Sequence, residues 1–157
     1  TETWGLGGVG LWFPTADGYE GGGLLGYWVD FDLGCSSTSD AYLAMAIDLS
    51  HATSAFMTYV QSGTIGANDA LDVIASVNGG ASWAVFHRVG VSSGWSRVEV
   101  RLDQFVGVSD LRLGFRFYNG CNDCCGVEWL IDDLEVVIEG EEVGVGIGDQ
   151  ALPLSRE

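Results

Sequence analysis

Residues 111–118 read "LRLGFRFY", with Leu111, Leu113, Phe115 and Phe117 at every second position and Arg112 and Arg116 between them. A period of two belongs to an extended strand with one buried and one wet face, and no helix can satisfy it. The same alternation returns in "FMTYVQ" (56–61), "LDVIASV" (71–77), "WAVFHR" (83–88), "WSRVEVRL" (95–102) and "VEWLIDDLEVVI" (127–138). Turn signals rich in glycine and asparagine, such as "NGGAS", separate these runs at roughly ten-residue spacing. "DAYLAMAIDL" (40–49) has a helix-compatible composition, but its place before another strand favours an extended reading. The pattern therefore predicts an all-β chain, a jelly-roll-like β-sandwich of two antiparallel sheets. The predicted sandwich domain is 1–139. Residues 140–157 form a tail in which Val143, Val145 and Ile147 alternate with glycine, as a linker or as a strand donated to an open sheet edge.

Charge narrows the partners. There are 22 acidic residues against six arginines and no lysine, a formal net charge of −16. Such a field repels phosphate backbones and anionic surfaces, so neither nucleic acid nor membrane insertion is expected. No apolar run approaches the length of a spanning helix. Thr1 opens no charged-then-apolar leader, so an exported chain would be in its mature form.

Four cysteines are present, Cys35, Cys121, Cys124 and Cys125. A bridge between the adjacent Cys124 and Cys125 would be strained, which leaves Cys35–Cys124 with Cys121–Cys125, or Cys35–Cys125 with Cys121–Cys124. Two disulfides imply an oxidising, extracellular setting. In the last run Asp132 shares parity with Leu130, Leu134, Val136 and Ile138, so it is expected to face the aliphatic side. A carboxylate there needs a partner or a cation. With Asp133, Glu20, Asp30 and Asp32 nearby in composition, calcium is the expected metal.

Enzyme patterns fail on context. "GLGGVG" (5–10) lacks the strand-then-helix setting of a dinucleotide site, and "GVSSG" (90–94) joins two strands where a nucleophile elbow needs a helix. His51 and His87 have no nucleophile beside them in sequence. A non-enzymatic role is therefore expected. Trp4, Trp12 and Trp28 supply aromatic surface for a sugar ring or a protein partner. Arg97, Arg101, Arg112 and Arg116 would form a basic patch if their two strands share a sheet.

The segments "IDLS", "S-x-N-G-G-x-S-W", "W-x-x-V-x-V-x-L" and "W-x-I-D-D-L-x-V", spread over about residues 40–138, resemble bacterial extracellular jelly-roll modules of the MAM-like, cleaved-adhesin and choice-of-anchor type. The resemblance implies a secreted binding module with a structural calcium at Asp132 and Asp133. Two roles are expected from sequence. The first is a self-assembling subunit of an extracellular fibre or surface layer, whose partners are copies of itself or a surface protein. The alternative is a carbohydrate-binding or adhesin accessory module of a larger secreted hydrolase, with a glycan as partner.

Overall fold

The computed structural model describes residues 4–8, 12–15, 24–29, 37–43, 46–120, 127–140 and 151–155. For 4–8, 12–15, 24–29, 37, 119, 127 and 151–155 it describes the backbone alone. Cys35, Cys121, Cys124, Cys125, Glu20, Asp30, Asp32, Val143, Val145 and Ile147 lie outside the described residues.

Among the described residues, eleven strands form two antiparallel sheets. The first contains β1 (Trp4–Gly8), β4 (Ser37–Leu43), β9 (Arg112–Asn119), β6 (Ala70–Ser76) and β7 (Ala84–Val89), in that spatial order. The second runs β2 (Trp12–Thr15), β3 (Leu24–Val29), β10 (Val127–Gly140), β5 (Ala52–Thr64) and β8 (Ser96–Arg101). A last strand, β11 (Ala151–Ser155), pairs with β10. The predicted β-sandwich is the observed fold, and the predicted strands match β5 to β10 to within a few residues. Of 40–49, residues up to Leu43 are strand, and Ile47 makes an isolated bridge to Leu111. The "GVSSG" segment does connect two strands, β7 and β8. No helix among the described residues is long and apolar enough to cross a membrane.

Alternation builds the core. On β9, Leu113, Phe115 and Phe117 are buried, and on β6 so are Leu71, Val73 and Ala75. On β5 the inward set is Ala55, Met57, Tyr59 and Gln61. Phe115, from the first sheet, meets two aromatics of the second edge to face. Its ring centroid lies 5.1 Å from Tyr59 at 78° and 5.4 Å from Trp129 at 87°. Edge-to-face packing places the positive rim of one ring on the negative face of another. The buried polar atoms of the Trp129 end are satisfied in series. The Trp129 indole N–H donates to Gln61 Oε1 at 3.0 Å, and Gln61 Nε2 donates to the Gly90 carbonyl at 2.6 Å.

Strand β10 departs from simple alternation. The register slips between Asp132 and Glu135 against β5, and Asp133 has φ +50°. Aspartate tolerates this left-handed conformation better than most residues. The extra residue is a β-bulge, and it switches parity. Trp129 and Ile131 point into the core before it, whereas Leu134 and Val136 do so after it. Asp132 pairs with Val60, on the outward side of β5. The expectation that Asp132 faces the same way as Leu134, Val136 and Ile138 is therefore corrected: the bulge breaks the period between them. Asp132 is nonetheless buried, and its Oδ1 accepts the Asp133 amide at 2.7 Å.

One edge of β10 is shared by two strands. β3 covers Val127–Ile131, and β11 covers Glu135–Glu139. The C-terminal strand thus sits on the chain's own sheet. It includes Pro153, opposite Val137, a residue that sheets accept on edge strands. Two outcomes follow from this packing. Tyr59 Oη is buried and has no partner among the described residues. An unsatisfied buried hydroxyl costs about 1–3 kcal/mol, so Tyr59→Phe should raise stability by roughly 1 kcal/mol in urea unfolding. A comparable loss would show that the hydroxyl is bonded. Deleting 141–157 should leave a folded sandwich with an open Glu135–Glu139 edge. Sedimentation velocity should then show more self-association than in the full chain, and equal behaviour would mean that β11 does not guard that edge.

Candidate functional site

The residues that β4, β9, β6 and β7 aim away from the core form a second organised layer. In register across these four strands stand Asp40, Arg116, Asp72 and Arg88. Alternation puts them there, since each is the neighbour of an inward residue: Ala41, Phe115, Leu71 and Val89. Arg116 donates Nε and Nη2 to the two oxygens of Asp40, at 2.7 and 2.8 Å. Arg88 makes the same two-pronged contact with Asp72, at 2.8 and 3.2 Å. Bidentate geometry fixes both guanidinium planes. The Asp40 hydrogen bonds push the Arg116 guanidinium above its ordinary value, against a desolvation that opposes them, and the Asp72 charge adds to the upward push. Arg116 therefore feels carboxylates on both sides, and the four groups act as one alternating ladder.

The row next to this ladder is aromatic and apolar. Tyr42, Gly114, Ile74 and Val85 are in register there. Trp83, from the turn between β6 and β7, comes within 5.2 Å of the Tyr42 ring, with the planes at 35°. β9 and β6 lie between β4 and β7, so the contact crosses two strands. Gly114 permits it, because a Cβ at 114 would lie 2.9 Å from Tyr42 Cβ and 2.7 Å from the Ala41 carbonyl oxygen. Ile74 is fully buried although it is not part of the inter-sheet core. Val85, beside it, is 43% exposed. Tyr118 and Thr38 share the row on the far side of the ladder.

The turn that delivers Trp83 is built around Asn78. Its Oδ1 accepts the Ser76 hydroxyl at 2.8 Å and the Ser82 amide at 3.0 Å, and its Nδ2 donates to Ser82 Oγ at 2.7 Å. Ser76 Oγ also accepts the Gly80 amide at 2.9 Å. Gly79 and Gly80 have φ of +73° and +91°, which side chains rarely adopt. "S-x-N-G-G-x-S-W" is therefore a closed hydrogen-bonded turn that ends in a positioned indole.

The sequence-predicted sites fare differently. Arg97 and Arg101 lie on β8 in the second sheet, Arg112 and Arg116 on β9 in the first, so no shared basic patch exists. Three of the four are also paired with carboxylates: Arg101 with Asp103 at 2.8 Å, Arg112 with Asp110 at 2.9 Å, and Arg116 with Asp40. Arg97 donates to Thr58 Oγ1 at 3.2 Å, and the Arg101 guanidinium sits 5.5 Å from the Phe56 ring centroid. Trp4, Trp12 and Trp28 have backbone places in β1, β2 and β3, and their side chains lie outside the described residues. No group of three His, Cys, Asp or Glu able to hold a cation occurs among the described residues. Of the expected calcium donors, Asp132 is buried and Asp133 exposed. Tyr42, Asp72, Arg88 and Asn78 were not singled out from sequence. The sequence signals for this face were the outward Arg112 and Arg116 and the motif containing Asn78 and Trp83.

No family model matches the chain, and no curated protein matches it either. Solved structures do. The chain is similar to TmCBM61, solved with beta-1,4-galactotriose, at 15% identity and a TM-score of 0.56, covering 85% of this chain and 86% of that one. It is similar to the K1 cleaved adhesin domain of Lys-gingipain from Porphyromonas gingivalis W83, at 16% identity and a TM-score of 0.57, covering 85% and 89%. A family 11 carbohydrate-binding module from Clostridium thermocellum, solved with a beta-1,3-1,4-mixed-linked tetrasaccharide, gives 14% identity and a TM-score of 0.55, covering 83% and 86%. At these identities the likeness is one of fold.

Removing the hub of the Trp83 turn tests the geometry. Asn78→Ala should cost about 1 kcal/mol in urea unfolding and mobilise the Trp83 indole, read by 15N relaxation of its N–H. Unchanged relaxation would mean that the turn does not hold the indole.

Proposed function

We propose that this chain is a non-catalytic, extracellular glycan-binding module, and that the outer face of its first sheet is the binding surface. The observation that carries the reading is the Tyr42–Trp83 pair, held over that face beside the Asp40–Arg116–Asp72–Arg88 ladder. An aromatic platform offers a flat apolar surface to the C–H side of a sugar ring. Fixed donors and acceptors beside it can meet the ring's hydroxyls. The platform rests on strands, so binding needs little rearrangement. Support also comes from the similar solved structures, of which one is a cleaved adhesin domain and two are carbohydrate-binding modules with oligosaccharides.

The fibre-subunit role draws less support. The similar solved structures are carbohydrate-binding modules and a cleaved adhesin domain, which favour a binding role, and β11 pairs with the chain's own β10.

The test of the main reading is affinity electrophoresis of the protein through gels containing polysaccharides. Retardation by at least one polysaccharide is expected, and Trp83→Ala should reduce affinity by about tenfold or more, as loss of an interface aromatic does. Tyr42→Phe should keep most of it, because the ring face and not the hydroxyl carries the stacking. Retardation that survives Trp83→Ala would place the sugar elsewhere.

A structural calcium remains part of the proposal, with Asp132 and Asp133 as two donors and Glu20, Asp30 and Asp32 as candidates for others. Oxygen-only ligation from an acidic chain suits that ion. Chelation should then lower the melting temperature and added calcium restore it. An unchanged melting curve would discard the metal.

A further inference from the structure

We infer that the ligand of this face is an uncharged, hydroxyl-rich glycan chain, and that Arg88, held in place by Asp72, is a residue that hydrogen-bonds it. The inference rests on the glycan-binding reading above and adds the ligand's charge class and a named contact.

Charge comes first. Each arginine on the face is matched to a carboxylate: Arg88 to Asp72, Arg116 to Asp40 and Arg112 to Asp110. The face is thus balanced, on a molecule whose net charge is −16. A polyanionic glycan would approach against that field and find the charge of each guanidinium on this face already matched by a carboxylate. To take the Arg88 fork it would have to displace Asp72, whose side chain is only 3% exposed. An abandoned buried carboxylate is among the costlier defects a protein can carry.

A neutral hydroxyl needs no such displacement. Asp72 occupies Nε and Nη2 of Arg88, and a guanidinium has five N–H groups. The remaining ones belong to a side chain that is 69% exposed. Asp72 therefore locks the plane of an accessible donor, so little rotamer freedom is lost on binding. Hydroxyl oxygens can accept from it.

Spacing fits a chain rather than a single ring. On β4, β9 and β6 the ladder row lies two residues from the Tyr42–Gly114–Ile74 row, about 7 Å along the strands, and on β7 a register shift makes the step three residues, from Arg88 to Val85. A ring stacked on the aromatic pair would carry the next unit over the ladder, with Tyr118 one row farther on.

The experiment is a calorimetric titration of the full chain with two sets of soluble polysaccharides, at about 0.05 and 0.5 M NaCl, where screening differs strongly. One set is neutral (mixed-linked β-glucan, β-1,4-galactan, arabinoxylan) and one anionic (polygalacturonate, heparin). The expected result is binding to a neutral chain with affinity unchanged by salt. Arg88→Ala should weaken it about tenfold or more, and Arg88→Lys, which keeps the charge and loses the fork, by a similar factor. Circular dichroism melts of both variants report whether they remain folded. Neutral binding that is unaffected in both variants overturns the role of Arg88. Trp83-dependent, salt-sensitive binding of an anionic chain overturns the charge class while the glycan-binding face stands. No binding by either set overturns the functional reading itself.

Discussion

The structure depends on strict two-residue alternation through β9, the strand at the centre of the first sheet. Phe115 on its inner side is clasped by Tyr59 and Trp129 of the opposite sheet. Arg116, one residue on, stands on the outer side and is gripped by Asp40 of β4. A register slip of one residue would exchange them, burying a charge and exposing a core aromatic. Burial of Leu113, Phe115 and Phe117 thereby also fixes the register of the polar ladder. The core and the candidate binding face are two consequences of one pairing.

Trp83 shows how a local turn completes what the sheet begins. The strands provide Tyr42 and the gap at Gly114, but neither could alone make a platform. The Asn78-centred turn brings the indole across β6 and β9 to Tyr42, and the hydrogen bonds within it need no support from the core. A rigid turn on a rigid sheet is a suitable frame for recognition, since the groups are placed before the ligand arrives. β10 illustrates the opposite device, where one residue in left-handed conformation re-aims the strand. That bulge lets Trp129 and Leu134, five positions apart, both reach the core.

The strand runs, and the inward face of β9, were legible because a half-buried strand must alternate, and composition leaves that mark directly in the chain. Most of the candidate face was not legible. Asp72 lies in the otherwise apolar "LDVIASV", and Arg88 ends "WAVFHR". Nothing local says that β6 and β7 place them side by side, or that β9 intervenes between β4 and β6. The basic patch failed for the same reason: β8 and β9 are consecutive in sequence but belong to different sheets. In a jelly roll, neighbours in the chain are often not neighbours in a sheet, so charge patterns read along the sequence mix two separate surfaces.

By itself the sequence determined that the chain is a β-sandwich, which residues β9 turns inward, and that the "S-x-N-G-G-x-S-W" segment is special. Those properties are local, set by periodicity, glycine conformation and side-chain hydrogen bonding within a few residues. The tertiary structure decided which arginine meets which aspartate, that Tyr42 and Trp83 share a surface, that Asp132 leaves the aliphatic row, and that the C-terminal strand closes the edge of β10. Each depends on strand order and register, which are fixed by long-range burial between segments that have no reason, taken singly, to find one another.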